Sequence, residues 1–163
     1  MLDQFLKGLV DLIYGTSRVR RKFEYNNPGE CVLAADASKG VATTTNQDIQ
    51  RGLDWVTSQR AVVMLTEKKI ICGKWLIPLD TISTARLVRI NSSFGAGQVL
   101  KIETTEDKHY QFGMQVNPEW SNQKLLPLTI ENGNVKHSVS SIVLRIIAIA
   151  CLVFWAYERF VAN

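Results

Sequence analysis

The stretch "LDWVTSQRAVVMLTEKKIICGKWLIPLDTISTARLVRI", residues 53–90, decides the fold class. Short runs rich in Val, Ile, Leu and Trp are broken by polar turns, which predicts four strands at about 53–57, 60–65, 69–77 and 82–90. "TEKK" separates the second strand from the third, and "PLD" (78–80) precedes the fourth. The same texture extends outward. "ECVLAAD" (30–36) is a strand, and "VLKIETTEDKHYQFGM" (99–114) is a hairpin turning near Glu106-Asp107. "SKGVATTTNQDIQRG" (37–52) has too few apolar residues for a core element and reads as a long loop, as does "NSSFGAGQ" (91–98). In "NPEWSNQKLLP", Asn117 suits an N-cap, Pro118 the first helical position, Glu119 the first turn and Pro127 the stop. Six or seven short strands in sequence, closed by one helix, argue a small antiparallel barrel or sandwich.

Four pieces of this pattern resemble bacterial PH-like and GRAM-like domains of the pleckstrin-homology superfold. "GECVLAAD" is similar to their opening strand and "WVTSQRAVVM" to a later strand–turn–strand. "KWLIPLDTIS" is similar to the strand entered through I-P-L-x-x-I, and "HYQFGMQVNPEW" to the last strand running into the capping helix. The resemblance covers about residues 29–127 and implies a barrel whose open end the helix covers. Within the superfold, PH-like domains of the eukaryotic type often bind phosphoinositides through basic residues on their first hairpin. Here that region is "ADASKG", with Lys39 as its one cation.

The two ends differ in character. Leu2, Phe5, Leu6, Leu9, Leu12 and Ile13 recur at spacings of three and four, opposite Asp3, Lys7 and Asp11, which predicts an amphipathic helix. "TSRVRRK" follows, with Arg18, Arg20, Arg21 and Lys22 in five residues. An apolar helix face beside a basic cluster suits an anionic membrane surface, at about 1 kcal/mol per basic residue. Packing of that face on the domain, with the cations solvated, is the other reading, and both stay open. At the far end, Val139–Tyr157 is nineteen residues with one charge, Arg145. As a helix it spans roughly 28 Å, against ~30 Å of bilayer hydrocarbon. Nine aliphatic or aromatic residues offset the ~2.5–3.5 kcal/mol cost of one Arg, which predicts a transmembrane anchor. Lys124, Lys136 and Arg145 on its N-terminal side predict an integral, single-pass protein with its N-terminal domain cytoplasmic. On that helix Ser141, Arg145, Ala148, Cys151 and Trp155 share one face, which suits a second membrane helix; a snorkelling Arg145 is the alternative.

The expected organisation is therefore a basic arm at 1–24, a PH-like domain at 29–130 and an anchor at 139–157. Its class is mainly β with α. A net charge of +4 over 163 residues does not suggest nucleic acid. Cys31, Cys72 and Cys151 are widely spaced and form no CxxC. No metal set is expected: His109 and His137 stand 28 residues apart without ligand spacing, and His109 reads as a surface histidine. Asp80 with Asp107, and Glu103 with Glu106, read as solvated charges, and "FGAG" lacks the Lys-Ser/Thr of a phosphate loop. No catalytic constellation and no cofactor are expected. Arg60 has two readings. It pairs with a carboxylate to fix a hairpin, or it joins Lys68 and Lys69 in a cationic mouth for lipid headgroups or an acidic partner. The expected function is a non-enzymatic, membrane-anchored binding module that holds lipid headgroups or recruits a membrane-associated protein. An accessory subunit of a larger membrane complex is the alternative.

Overall fold

The computed structural model describes residues 8, 11, 13–43, 50–51, 58–92, 95–133, 136–137 and 139–160. The chain divides into two units, residues 1–47 with 58–134, and residues 48–57 with 135–163.

The first unit opens with helix α1 (Thr16–Asn26). Its strands are β1 (Val32–Thr43), β3 (Gln59–Thr66), β4 (Lys69–Cys72), β5 (Trp75–Pro78), β6 (Ile82–Ser92), β7 (Gly95–Thr104), β8 (His109–Gln115) and β9 (Leu128–Gly133). A single 3-10 turn (Leu79–Thr81) precedes β6, and the short helix α2 (Pro118–Asn122) follows β8. The strands form one curled half-barrel sheet in the order β5-β4-β3-β1-β8-β7-β6-β9. Every pairing is antiparallel except β6 with β9. Long β1 serves two neighbours: Val32–Gly40 pairs with β3, and Ser38–Thr43 pairs with β8.

Side-chain alternation gives the sheet two faces. On the inner face Val63, Leu65, Ile70, Leu87, Leu100 and Phe112 are fully buried, joined by Trp120 from α2 and Leu126. On the outer face a smaller cluster of Val32, Ala35, Val62 and Met64 packs under Tyr14 and Phe23. Val32 and Ala35, three residues apart, reach the same face because a register shift lies between Val32 and Ala34. Such a bulge inserts one residue and resets the alternation.

Several local readings hold. Asn117 caps α2, accepting from the Glu119 N–H at 3.1 Å, with Pro118 at the first position. The β7–β8 turn carries Asp107 at φ +59, a conformation that Asp tolerates better than most residues. Other readings are corrected. The expected loop at 37–52 is strand as far as Thr43, because its residues are small rather than absent from the core. Gly40 lies opposite Phe112, where a Cβ would stand 2.4 Å from the Trp75 ring. The space that β1 leaves is filled by Trp75, Tyr110 and Phe112, whose centroids lie 5.8–6.3 Å apart. The expected strand 69–77 is a hairpin, turned by Gly73 at φ +57. β6 and β7 shorten the expected loop at 91–98, and β9 was not expected. The predicted strand 53–57 and most of the apolar set at 2–12 lie outside the described residues.

The second unit contains a parallel pair, β2 (Gln50–Arg51) with β10 (Lys136–His137), and helix α3 (Val139–Phe160). Here the fold class expected from the sequence is overturned in one component. Among the described residues no helix is long and apolar enough to cross a membrane. The transmembrane anchor at 139–157 is corrected accordingly, and with it the integral, single-pass location and the cytoplasmic side assigned to the domain. The physical reason lies in where the charges fall. Between Arg145 and Glu158 the charge-free run is twelve residues, about 18 Å of helix, against a hydrocarbon core of ~30 Å. The mainly β reading stands. The predicted closed barrel is instead an open sheet with two edges, and a curled sheet does not by itself identify a PH-like domain.

Trp120 is fully buried, and its indole N–H finds no acceptor among the described residues. Trp120→Ala should therefore cost about 3–5 kcal/mol of unfolding free energy. Trp120→Phe, which also removes the unpartnered donor, should cost less than about 2 kcal/mol. Urea unfolding of both variants measures the difference, and equal losses would mean that the ring volume is not what α2 contributes.

Candidate functional site

The basic residues singled out in the sequence sort into two groups according to whether the fold consumes their charge. Arg20 is consumed. Past Gln115 the chain leaves β8, so the first half of β1 has no strand on that side. Extending the β1–β8 register places Asn117 opposite Ala35. Side chains take over the ladder there: Asn117 Nδ2 donates to the Ala35 carbonyl at 3.2 Å, and the Ala35 N–H donates to Glu119 Oε2 at 3.2 Å. One bulge earlier, Arg20 donates to the Val32 carbonyl, while the Val32 N–H donates to Glu24 Oε1 at 3.4 Å. Arg20 also reaches Glu119 Oε1 at 3.2 Å and Glu24 Oε1 at 3.4 Å. Its guanidinium thus links α1, β1 and α2.

Lys69 is consumed as well. Its ammonium lies 3.3 Å from Glu30 Oε2 and 5.9 Å from the Phe23 ring centre. Thr66, fully buried, donates to Glu30 Oε1 at 2.6 Å and accepts from the Lys68 and Lys69 N–H groups. Thr66's hydroxyl, and after it Lys69, hold the Glu30 carboxyl below the usual carboxylate range, against the opposing effect of burial.

Arg18, Arg21 and Lys22 remain exposed on α1. Spaced at i, i+3 and i+4, they share one face, which Tyr25 extends at i+7 with 87% exposure. Among the described residues, Arg21 donates only to the Ser17 carbonyl of its own helix, at 3.3 Å. Arg18, Lys22 and Lys68 form no ion pair among the described residues. An open depression of about 480 Å³ runs beside this face, lined among others by Tyr14, Gly15, Arg18 and Arg21, with Ile13 at its rim 72% exposed. Lys68 lies in the exposed β3–β4 turn next to Lys69. Arg60 does not join this group. It sits on β3 opposite Lys39, on the outer face, in a like-charge pair.

Ser141, Arg145, Ala148, Cys151 and Trp155 all fall on α3, where Ala148, Cys151 and Trp155 are exposed. Without a membrane span their role as a face inside the bilayer is lost. Of the cysteines, Cys72 is fully buried 3.4 Å from Ser38 Oγ, and burial pushes its thiol pKa up, which makes it unreactive. His109 corrects the surface reading, being only 7% exposed and 3.3 Å from Asp107. With Glu103 and Asp107 it forms the one group of possible metal ligands among the described residues. Sequence spacing conceals that group, because Glu103 and His109 become neighbours only through the β7–β8 pairing.

Arg20→Ala should cost about 2 kcal/mol, since it leaves charged and backbone partners without their donor. Arg18→Ala should cost less than about 0.5 kcal/mol; thermal unfolding of the two variants checks the contrast. Glu30, with its pKa depressed on folding, contributes stability above the usual carboxylate range and loses it as pH falls through its folded value. Glu30→Gln should therefore flatten the acid limb of a plot of thermal midpoint against pH. A variant limb as steep as that of the wild type would assign acid sensitivity to other carboxylates.

Among known proteins, no family model, curated sequence or solved structure matches this chain.

Proposed function

We propose that this chain is a non-enzymatic binding module that docks on anionic phospholipid headgroups through the exposed face of α1. The observation that carries this reading is the sorting of charge. The fold uses Arg20 and Lys69 internally, yet leaves Arg18, Arg21 and Lys22 together on one face without an anionic partner among the described residues. Tyr25 at the end of that face, and Ile13 beside the depression, add apolar contact of the kind that seats a helix at a headgroup interface. α1 is itself clamped to the sheet, so the cations are presented from a fixed platform and lose little freedom on binding.

A second reading, recruitment of a protein partner, rests on a separate feature. An open groove of about 770 Å³ runs along α2 between Leu33 and Leu125, with Pro118 in its wall and Glu119 and Lys124 at its polar margin. Its lining mixes Leu33, Pro118 and Leu125 with the polar Glu119, Asn122, Gln123 and Lys124, which suits a peptide segment more than a headgroup.

Vesicle co-sedimentation at physiological salt tests the first reading. The full chain should bind phosphatidylserine-containing vesicles, and added salt should weaken that binding. Changing Arg18, Arg21 and Lys22 together to Gln should remove about 3 kcal/mol, roughly a hundredfold in partition. Equal binding to neutral phosphatidylcholine vesicles, or a triple variant that binds like the wild type, would overturn the lipid reading.

A further inference from the structure

We propose that Glu103, Asp107 and His109 form a divalent-metal site on the β7–β8 hairpin, apart from the cationic face of α1. One ligand atom from each lies within 4.8 Å of the others. Glu103 and His109 are directly paired across the two strands, so their side chains emerge side by side on the outer face. Asp107 enters from the turn that joins them. That turn is fixed by main-chain bonds from the Asp107 N–H to the Thr104 carbonyl and from the Thr104 N–H to the Lys108 carbonyl, each 3.0 Å. The left-handed backbone at Asp107 lets the chain reverse here, and its carboxylate stands 3.3 Å from His109 Nε2.

Three features mark this set as more than solvated charge. The imidazole is buried at 7% exposure, whereas a surface histidine would face water. Thr84, across from Glu103 on β6, donates to Glu103 Oε2 at 2.9 Å. It thereby orients the carboxylate and leaves Oε1 for a ligand, which is how outer hydrogen bonds support metal sites. The turn's own lysine is committed elsewhere, since Lys108 pairs with Glu106 at 2.7 Å. Two carboxylates and one imidazole give an N,O,O donor set suited to Zn²⁺ and similar first-row ions, with the remaining positions taken by water. Zinc would need the ligand atoms at ~3.3 Å from one another. Rotation of the Glu103 and Asp107 side chains supplies that closure, and Asp107 is 86% exposed and free to turn. Arg86 and Lys101, one rung along the same face, line the same small depression and oppose a cation, so the affinity should be modest.

Isothermal titration of the full chain with Zn²⁺ in a non-chelating buffer at pH 7.5 tests the site. One ion per chain should bind, and Glu103→Gln or His109→Gln should abolish saturable binding. Thr84→Val should weaken it about tenfold. Co²⁺, as a spectroscopic substitute, should show ligand-field bands without sulfur-to-metal charge transfer, which separates this site from the cysteines. Thermal midpoints in EDTA keep the variants interpretable: Zn²⁺ should raise the wild-type midpoint and leave the His109→Gln midpoint where EDTA put it. Absence of binding by the wild type, or undiminished binding by the ligand variants, would overturn the proposal.

Discussion

The unpaired edge of β1 is the constraint on which the first unit depends. β8 stops short of covering the first half of β1, and a bulge there exposes the main-chain groups of Val32 and Ala35. A buried amide left without a partner costs more than a typical hydrogen bond contributes, so this edge must be closed. Asn117 and Glu119 close it at Ala35, and Arg20 and Glu24 close it at Val32. The same four side chains therefore fix where α1 and α2 sit. Satisfying the backbone and positioning the two helices are one event.

That closure divides the core. α2 drives Trp120 into the inner face, where the large aliphatic residues of six strands meet it. α1 lays Tyr14 and Phe23 over the smaller outer cluster. A sheet covered on both faces near β1 and β3 needs strands buried on both sides, and β3 shows this directly: Val62, Val63, Met64 and Leu65 are all buried. The small residues of β1 serve the same end. Gly40 lets Trp75 and Phe112 approach the backbone, so volume missing from one strand comes from two others.

Charge follows the same logic. Two half-buried or buried charges are answered within the fold: Glu30 by Thr66 and Lys69, and Arg20 by two glutamates and a carbonyl. Arg18, Arg21 and Lys22, without an ion pair among the described residues, lie together on α1, whereas two carboxylates with a buried imidazole lie on the β7–β8 hairpin. The first unit thus presents a cationic helix face and a separate carboxylate–imidazole cluster, and each suits a different kind of ligand.

The sequence alone determined what is local. Alternating runs placed β3, β6 and the β7–β8 hairpin, and the Asn-Pro-Glu spacing placed the cap of α2, because these follow from periodicity and turn chemistry within a few residues. Tertiary structure decided whatever depends on partners distant in sequence. Residues 37–43 are strand because aromatic rings from β5 and β8 fill their small-residue gap, and 128–133 are strand because β6 offers a parallel edge. Arg20 and Lys69 look like their neighbours in the sequence, yet carboxylates 99 and 39 residues away consume them. His109 looked exposed, and cross-strand pairing buried it beside Glu103. The apolar C-terminal run was read by its total hydrophobicity, whereas no helix among the described residues is both long and apolar enough to cross a membrane. Composition records which residues are present; which of them meet is a property of the folded backbone, and function depends on the meeting.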